Sequence, residues 1–319
     1  MPDRGGGPVT SGPLTLCLDI GGTKIAAGLA ESDGRLVQTL TCPTPSGAGV
    51  DADRVWAAVA DLIAQSMAAA PGEVTGVGIG SAGPSDSIAG TVSPINIAAW
   101  REFPLRARVA AMLPGVPVRF AGDGICMALG EYWRGAGRGF RFMLGMVVST
   151  GIGGGLILDG VPVFGRTGNA GHVGHVVVEP DGAACPCGGR GCVETVASGP
   201  SMVRWARANG WTMPPGADAR ALAVSAAAGD TVALAAFDRG AAALAAMIVS
   251  VAAVCDLETV VIGGGVAKSG GLLFDPLRRA LADRGGPGFV AGLAILPAEL
   301  GGDAGLVGAA RLATVDPPT

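Results

Sequence analysis

The 319-residue sequence predicts an α/β protein of two lobes with related construction. Short apolar runs alternate with Ala-rich stretches of helical spacing, the pattern of α/β architecture. Two strand, glycine-turn, strand units open the two halves of the chain in the same way. A hydrophobic content of 49% over this length is enough to bury two cores.

LTLCLDIGG (14–22) and KIAAGLAE (24–31) read as strands joined by a tight glycine turn, and GRLVQTLTCPT (34–44) extends them into a meander. ADRVWAAVADLIAQSMAAA (52–70) has apolar residues at helical spacing, and VTGVGIGSAG (74–83) is a strand ending in a glycine-rich turn. A further strand and turn, GVPVRFAGDG (115–124), precede a helix, ICMALGEYWRG (125–135). The plan then restarts at RFMLGMVVSTGIGGGLILDGVPV (141–163). The lobe boundary is therefore expected near Ala121, with residues 14–121 in the first lobe and 122–302 in the second. A closing helix at 303–314, containing GLVGAARLAT, fits either lobe. Residues 1–13, rich in Gly and Pro and without an apolar run, read as a disordered leader rather than a signal peptide.

A net charge of −4 argues against a nucleic-acid partner. The longest uncharged apolar run, residues 240–255 between Arg239 and Asp256, is shorter than the roughly 18 residues of a membrane span and reads as a buried helix. The expected location is the cytoplasm, with no membrane partner. Seven unevenly spaced cysteines fit reduced thiols rather than a disulfide framework.

Three glycine turns follow apolar strands: DIGGTK (19–24), STGIGGG (149–155) and VIGGGVA (261–267). Glycines let the backbone turn tightly, and exposed N–H groups with a Thr hydroxyl can face an anion. A lone turn of this kind is most often an ordinary hairpin. None of the three matches a P-loop or a dinucleotide fingerprint. Residues 168–194 hold both histidines of the chain and three of its cysteines. His175, Cys185, Cys187 and Cys192 make the ligand set of a closed Cys₃His zinc site, structural because no position stays open. Gly188, Gly189 and Gly191 would let the chain wrap the ion, and the other four cysteines read as small core residues.

The order LDIGGTK, GDGICMALGE, STGIGGG, GCVETVASG and VIGGGVA resembles the ROK family (repressors, open reading frames and sugar kinases) from about Leu14 onward. The resemblance implies an actin-like ATPase fold, hexokinase-like and related to ribonuclease H, with a central cleft and a small zinc-binding loop. It also implies transfer of the ATP γ-phosphoryl group to a hexose hydroxyl, usually the 6-hydroxyl. Asp123 then matches the base that accepts the sugar proton, although an aspartate at a helix start is also a common N-cap. Asp19 would organise Mg²⁺ through water, while Gly21, Gly22, Thr23 and Lys24 form the phosphate turn, with Thr150 and Gly151 opposite. Lys24 has an ordinary alternative as a solvated strand residue. Gly264 and Gly265 would flank the adenosine.

The resemblance places Asn96, Glu194 and His175 at the sugar. Two sugar positions depart from the family pattern: Gly122 stands for the usual Asn before Asp123, and His172 stands for the usual Glu of AGE. His172 reads as a sugar contact, as a partner behind one, or as a solvated loop residue; a neutral imidazole either donates or accepts. The expected acceptor is glucose or an altered hexose, with an N-acetylhexosamine or a 3-amino sugar as the alternative. From a different class stands a non-catalytic, sugar-sensing regulator; the first phosphate motif begins too near Met1 to leave room for a DNA-binding segment ahead of it. The resemblance further implies a homodimer or homotetramer.

Overall fold

The computed structural model describes residues 12–315, so the expected leader, apart from Gly12 and Pro13, lies outside the described residues. The chain divides between Asp123 and Gly124 and again between Ala304 and Gly305, which gives a first unit up to Asp123 that resumes at Gly305 and a second unit between them.

The first unit opens with strands β1 (Leu14–Ile20), β2 (Lys24–Ala30) and β3 (Leu36–Pro43). Helix α1 (Ala52–Ala68) starts where the Asp51 side chain accepts the Arg54 N–H, and buries Val55, Val59, Leu62 and Ile63 at helical spacing. Strand β4 (Val74–Ser81), the small hairpin β5 (Ser85–Asp86) and β6 (Thr91–Val92), helix α2 (Leu105–Met112) and strand β7 (Val118–Gly122) follow. The main sheet has the order β3-β2-β1-β4-β7, an antiparallel arm followed by two parallel strands.

Helix α3 (Asp123–Arg134) leads into the second unit: β8 (Met143–Val148), β9 (Ile152–Leu158), β10 (Val161–Pro162), a 3₁₀ turn at Val173–His175, α4 (Glu194–Ala197), α5 (Gly199–Ala208) and α6 (Ala219–Ala227). It ends with α7 (Thr231–Cys255), β11 (Thr259–Gly263), α8 (Gly271–Arg284) and β12 (Ala294–Pro297). Its sheet, β10-β9-β8-β11-β12, repeats the first plan in order and in strand sense. Helix α9 (Ala304–Leu312) returns to the first unit. There Gly78 of β4 has no side chain because a Cβ would overlap the Ala309 carbonyl, so strand and helix backbones meet directly.

Two expectations need correction. The buried helix begins not at residue 240 but at Thr231, capped by Asp230, and its 25 residues are long and apolar enough to cross a membrane by length and composition, with 56% of the apolar window buried inside the protein. Asp238 and Arg239 do not end it: a charge at a helix position open to solvent is compatible with the helix, and the two pair with residues off it, Asp238 with Arg279 (3.4 Å) and Arg239 with Glu179 (2.8 Å). Of the four cysteines expected in the core, Cys17 and Cys126 are wholly buried, but Cys42 on edge strand β3 and Cys255 at the last turn of α7 are only half-buried.

Candidate active site

In the first unit the turn after β1 is a built object. The Gly21 N–H donates to the Lys24 carbonyl at 3.0 Å, closing the hairpin. Thr44, just beyond β3, donates its hydroxyl to the Gly21 carbonyl at 2.6 Å and its N–H to the Thr23 carbonyl at 3.0 Å. Thr23 and Lys24 are exposed at the tip. Gly22 lies against Asn96, whose Cβ, Cγ and Nδ2 would be only 2.5–2.7 Å from a Cβ at position 22. Sequence reasoning named Gly22 and Asn96 separately and missed Thr44, whose only local signal was a Thr after Pro43 at a strand end.

Asp19 is the electrostatic centre of this unit. Burial, and then the charge of Asp123, push its carboxyl up to about 7, against a downward pull from Lys24. Among the described residues no hydrogen bond or ion pair satisfies it. The first turn of α9 closes over it: a Cβ on Gly305 would lie 2.5 Å from Asp19 Oδ2, so glycine lets the positive end of the helix reach the carboxylate. Asp123 is the first residue of α3 and is exposed, although Gly124 to Glu131 behind it are all buried. Gly122 just before it is buried, yet a Cβ there would meet nothing within 4 Å.

In the second unit the matching turn is closed by Ser149 N–H donating to the Gly151 carbonyl at 2.9 Å, with Thr150 exposed at its tip. Glu194, opening α4, accepts the Ile152 N–H through Oε2 at 2.8 Å; a Cβ on Gly151 would sit 2.7 Å from that oxygen. Oε1 has no partner among the described residues and is available to a ligand. The third glycine turn joins the second: Gly264, at φ +98°, has its bare face on the Val148 carbonyl, which also accepts the Val266 N–H at 3.0 Å. Gly265 is exposed beside the Ser149 hydroxyl.

A seam of glycines packs α3, β9 and the histidine segment backbone to backbone. A Cβ at Gly124 would overlap the Gly154 carbonyl, and one at Gly174 the Ile152 carbonyl; at Gly171, φ +89°, it would lie 2.8 Å from the Gly154 oxygen. The seam brings His172 and His175 to the start of β9, with ring centroids 6.3 Å apart. Nδ1 of His172 lies 2.9 Å from the Asn169 carbonyl. A carbonyl only accepts, so Nδ1 carries the proton and Nε2 is left as the acceptor.

The four expected metal ligands converge. The ligand atoms of His175, Cys185, Cys187 and Cys192 all lie within 4.8 Å of one another. Cys187 Sγ is 3.8 Å from Cys192 Sγ, and Cys185 Sγ is 3.8 Å from His175 Nδ1. Tetrahedral zinc at its usual Zn–S length separates ligand atoms by about the same distance. Burial pushes the Cys192 thiol up to about 12, while the Gly189 N–H pulls Cys187 down. A divalent cation is what would let the three thiols ionise together. His175 faces this cluster through Nδ1, which leaves Nε2 for another ligand.

The ROK family matches residues 15–315. A glucokinase of Streptomyces coelicolor is 35% identical over 322 residues, covering 96% of this chain and 99% of that protein. An N-acetylmannosamine kinase of Salmonella typhi is 36% identical over 303 residues, covering 95% and 99%. A solved ROK family glucokinase from Streptomyces griseus, in complex with glucose and AMPPNP, superposes with a TM-score of 0.82 at 36% identity over 94% of this chain and 99% of that one. The two repeated sheets, the glycine turns and the Cys/His cluster accordingly have one family context: the chain belongs to the ROK family, with the two-lobed α/β fold of the actin-like ATPase type.

Proposed function

We propose that this chain is an ATP-dependent sugar kinase that transfers the γ-phosphoryl group to a hexose hydroxyl, the 6-hydroxyl first among them, with Asp123 as the base. The observation that supports the assignment is the carboxylate pair of the first unit: Asp123 exposed at the head of a buried helix, and half-buried Asp19, pushed up first by burial and then by its neighbour's charge. A carboxylate raised toward neutrality by burial and by a second carboxylate is the kind of group that functional sites hold. Asp123 takes the hydroxyl proton as the sugar oxygen attacks the γ-phosphorus, and the bond to the β-phosphate oxygen breaks to release ADP.

The remaining roles are those the family resemblance implies, and the local geometry of each unit is compatible with them. Asp19, lacking any protein donor, fits a hydrated Mg²⁺, which when bound spreads the charge of the transferred group. Gly21, Gly22, Thr23 and Lys24 in one unit, and Thr150 with Gly151 in the other, offer donors to phosphate oxygens. Gly264 and Gly265 give a flat exposed surface for the adenosine. The proposed sugar contacts are Asn96, Gly122 and Asp123 of the first unit and His172, His175 and Glu194 of the second. Zinc on His175, Cys185, Cys187 and Cys192 holds the histidine segment in shape. The free thiols suit the cytoplasm; the reading requires no nucleic-acid or membrane partner and includes assembly as a homodimer or homotetramer.

One observation favours an N-acetylhexosamine over glucose: beside Gly122 there is open space where the family pattern has an amide side chain, and a larger acceptor can use it. The test is ADP release over a panel of hexoses and hexosamines. Asp123→Asn is expected to lower kcat by about 100- to 10,000-fold on the best acceptor, with an unchanged thermal melt. Undiminished turnover in that variant would remove the base.

A further inference from the structure

The first glycine turn carries two attachments that holding a phosphate does not require. Strand β3 has no buried residue, yet Thr44 immediately after it is 6% exposed, drawn under the turn by its two hydrogen bonds to Gly21 and Thr23. On the other side the Asn96 amide rests on the bare Cα of Gly22. The loop beneath Asn96 is held as firmly. Arg101 Nη1 donates to the carbonyls of Pro94 (3.0 Å), Ile97 (3.4 Å) and Trp100, and the wholly buried Trp100 donates its indole N–H to the Ala52 carbonyl at 3.2 Å. The loop is thus anchored from below and the turn by Thr44, and the Asn96 side chain and Gly22 are in close steric contact between these anchors.

We propose that Thr44 and Gly22 are positioning residues that lock the phosphate turn to the Asn96 amide, so that sugar and nucleotide strengthen each other's binding through this one unit. This rests on the reading of Asn96 as a sugar contact. A nucleotide that orders the turn sets the amide for the sugar. Linkage requires the sugar to tighten nucleotide binding by the same factor.

Calorimetric titration of glucose and of N-acetylmannosamine, each with and without saturating AMPPNP and Mg²⁺, tests it. Wild type is expected to bind its sugar at least about fivefold more tightly when nucleotide is present. Thr44→Val, which keeps the size and loses the hydroxyl, brings that ratio near one, and Thr44→Ser restores it. Gly22→Ala displaces the amide, weakens sugar binding and also abolishes the ratio; it serves in place of Thr44→Val if that variant does not fold. A wild-type ratio of one, or a ratio retained in a folded Thr44→Val, overturns the coupling. Asn96→Ala separates this failure from that of the underlying reading: full sugar affinity in Asn96→Ala removes the sugar contact and the proposal together, as does a wild type that binds neither sugar. Lost affinity in Asn96→Ala with an intact ratio in Thr44→Val removes only the coupling.

Discussion

In the first unit β1 and β2 meet at Gly21–Thr23 with Asp19 at the penultimate position of the incoming strand; in the second, β8 and β9 meet at Ser149–Gly151 with Val147 in the same place. Strand order, strand sense and hairpin closure are shared. The surroundings differ. The first turn encloses a charge of its own and is braced by Thr44. The second has no charge on its strands and borrows one, Glu194, from α4, while glycines at 153–155 leave β9 bare enough for α3 and the histidine segment to lie on it. One backbone plan therefore serves two chemistries, and the side chains delivered to the turn, rather than the sheet, decide which.

Breaking the second unit at its metal ligands should have the largest effect. Purified protein is expected to hold about one zinc per chain, and Cys187→Ser to lose it together with a stabilisation on the order of several kcal/mol; elemental analysis and a thermal melt measure both. Full metal content in the variant, or metal-free protein with unchanged stability, contradicts the closed site. Next comes the glycine seam. Gly174→Ala forces a methyl group into the Ile152 carbonyl and should cost about 3 kcal/mol in a urea titration.

The first unit should respond to pH instead. Asp19 keeps its proton up to about 7 when folded, whereas in the unfolded chain it ionises near the ordinary 3.8. Between these values the unfolded state releases a proton that the folded state retains, so this group's effect on stability worsens as pH rises and levels off above pH 7. Asp19→Asn should therefore be more stable than wild type at pH 7.5, on the order of 2 kcal/mol, and no different at pH 4, in melts without nucleotide or metal. An equal difference at both pH values would show that Asp19 is not raised. Gly122→Ala should have the smallest effect, within about 1 kcal/mol on stability, because the added methyl enters open space; an acceptor panel should show hexosamine turnover falling relative to glucose.

Much of the site was legible because its parts are local. The three glycine turns each sit within a few consecutive residues and the four metal-ligand candidates within one short glycine-rich stretch, where residue type carries the signal; Asp123 stood out only through the resemblance to the family. Thr44 and Arg101 were not legible, since their partners are carbonyls, and any residue supplies a carbonyl. The start of α7 was misread for a related reason: Asp238 and Arg239 look like a boundary until Arg279 and Glu179 arrive from elsewhere to pair with them. Gly78 and Gly305 read as ordinary glycines until α9 is placed against them.

By itself the sequence determined the two hairpins and their repeated plan, helices α1, α3 and α9 and the set of donors for an ion, because these depend on spacing along the chain. Tertiary structure decided that α9 joins the first unit, that burial and the charge of Asp123 push the Asp19 carboxyl up, and that Asn96 rests on Gly22. The physical reason is that burial, charge proximity and steric exclusion act through space: they depend on which distant segments close over a residue, and no spacing along the chain encodes that.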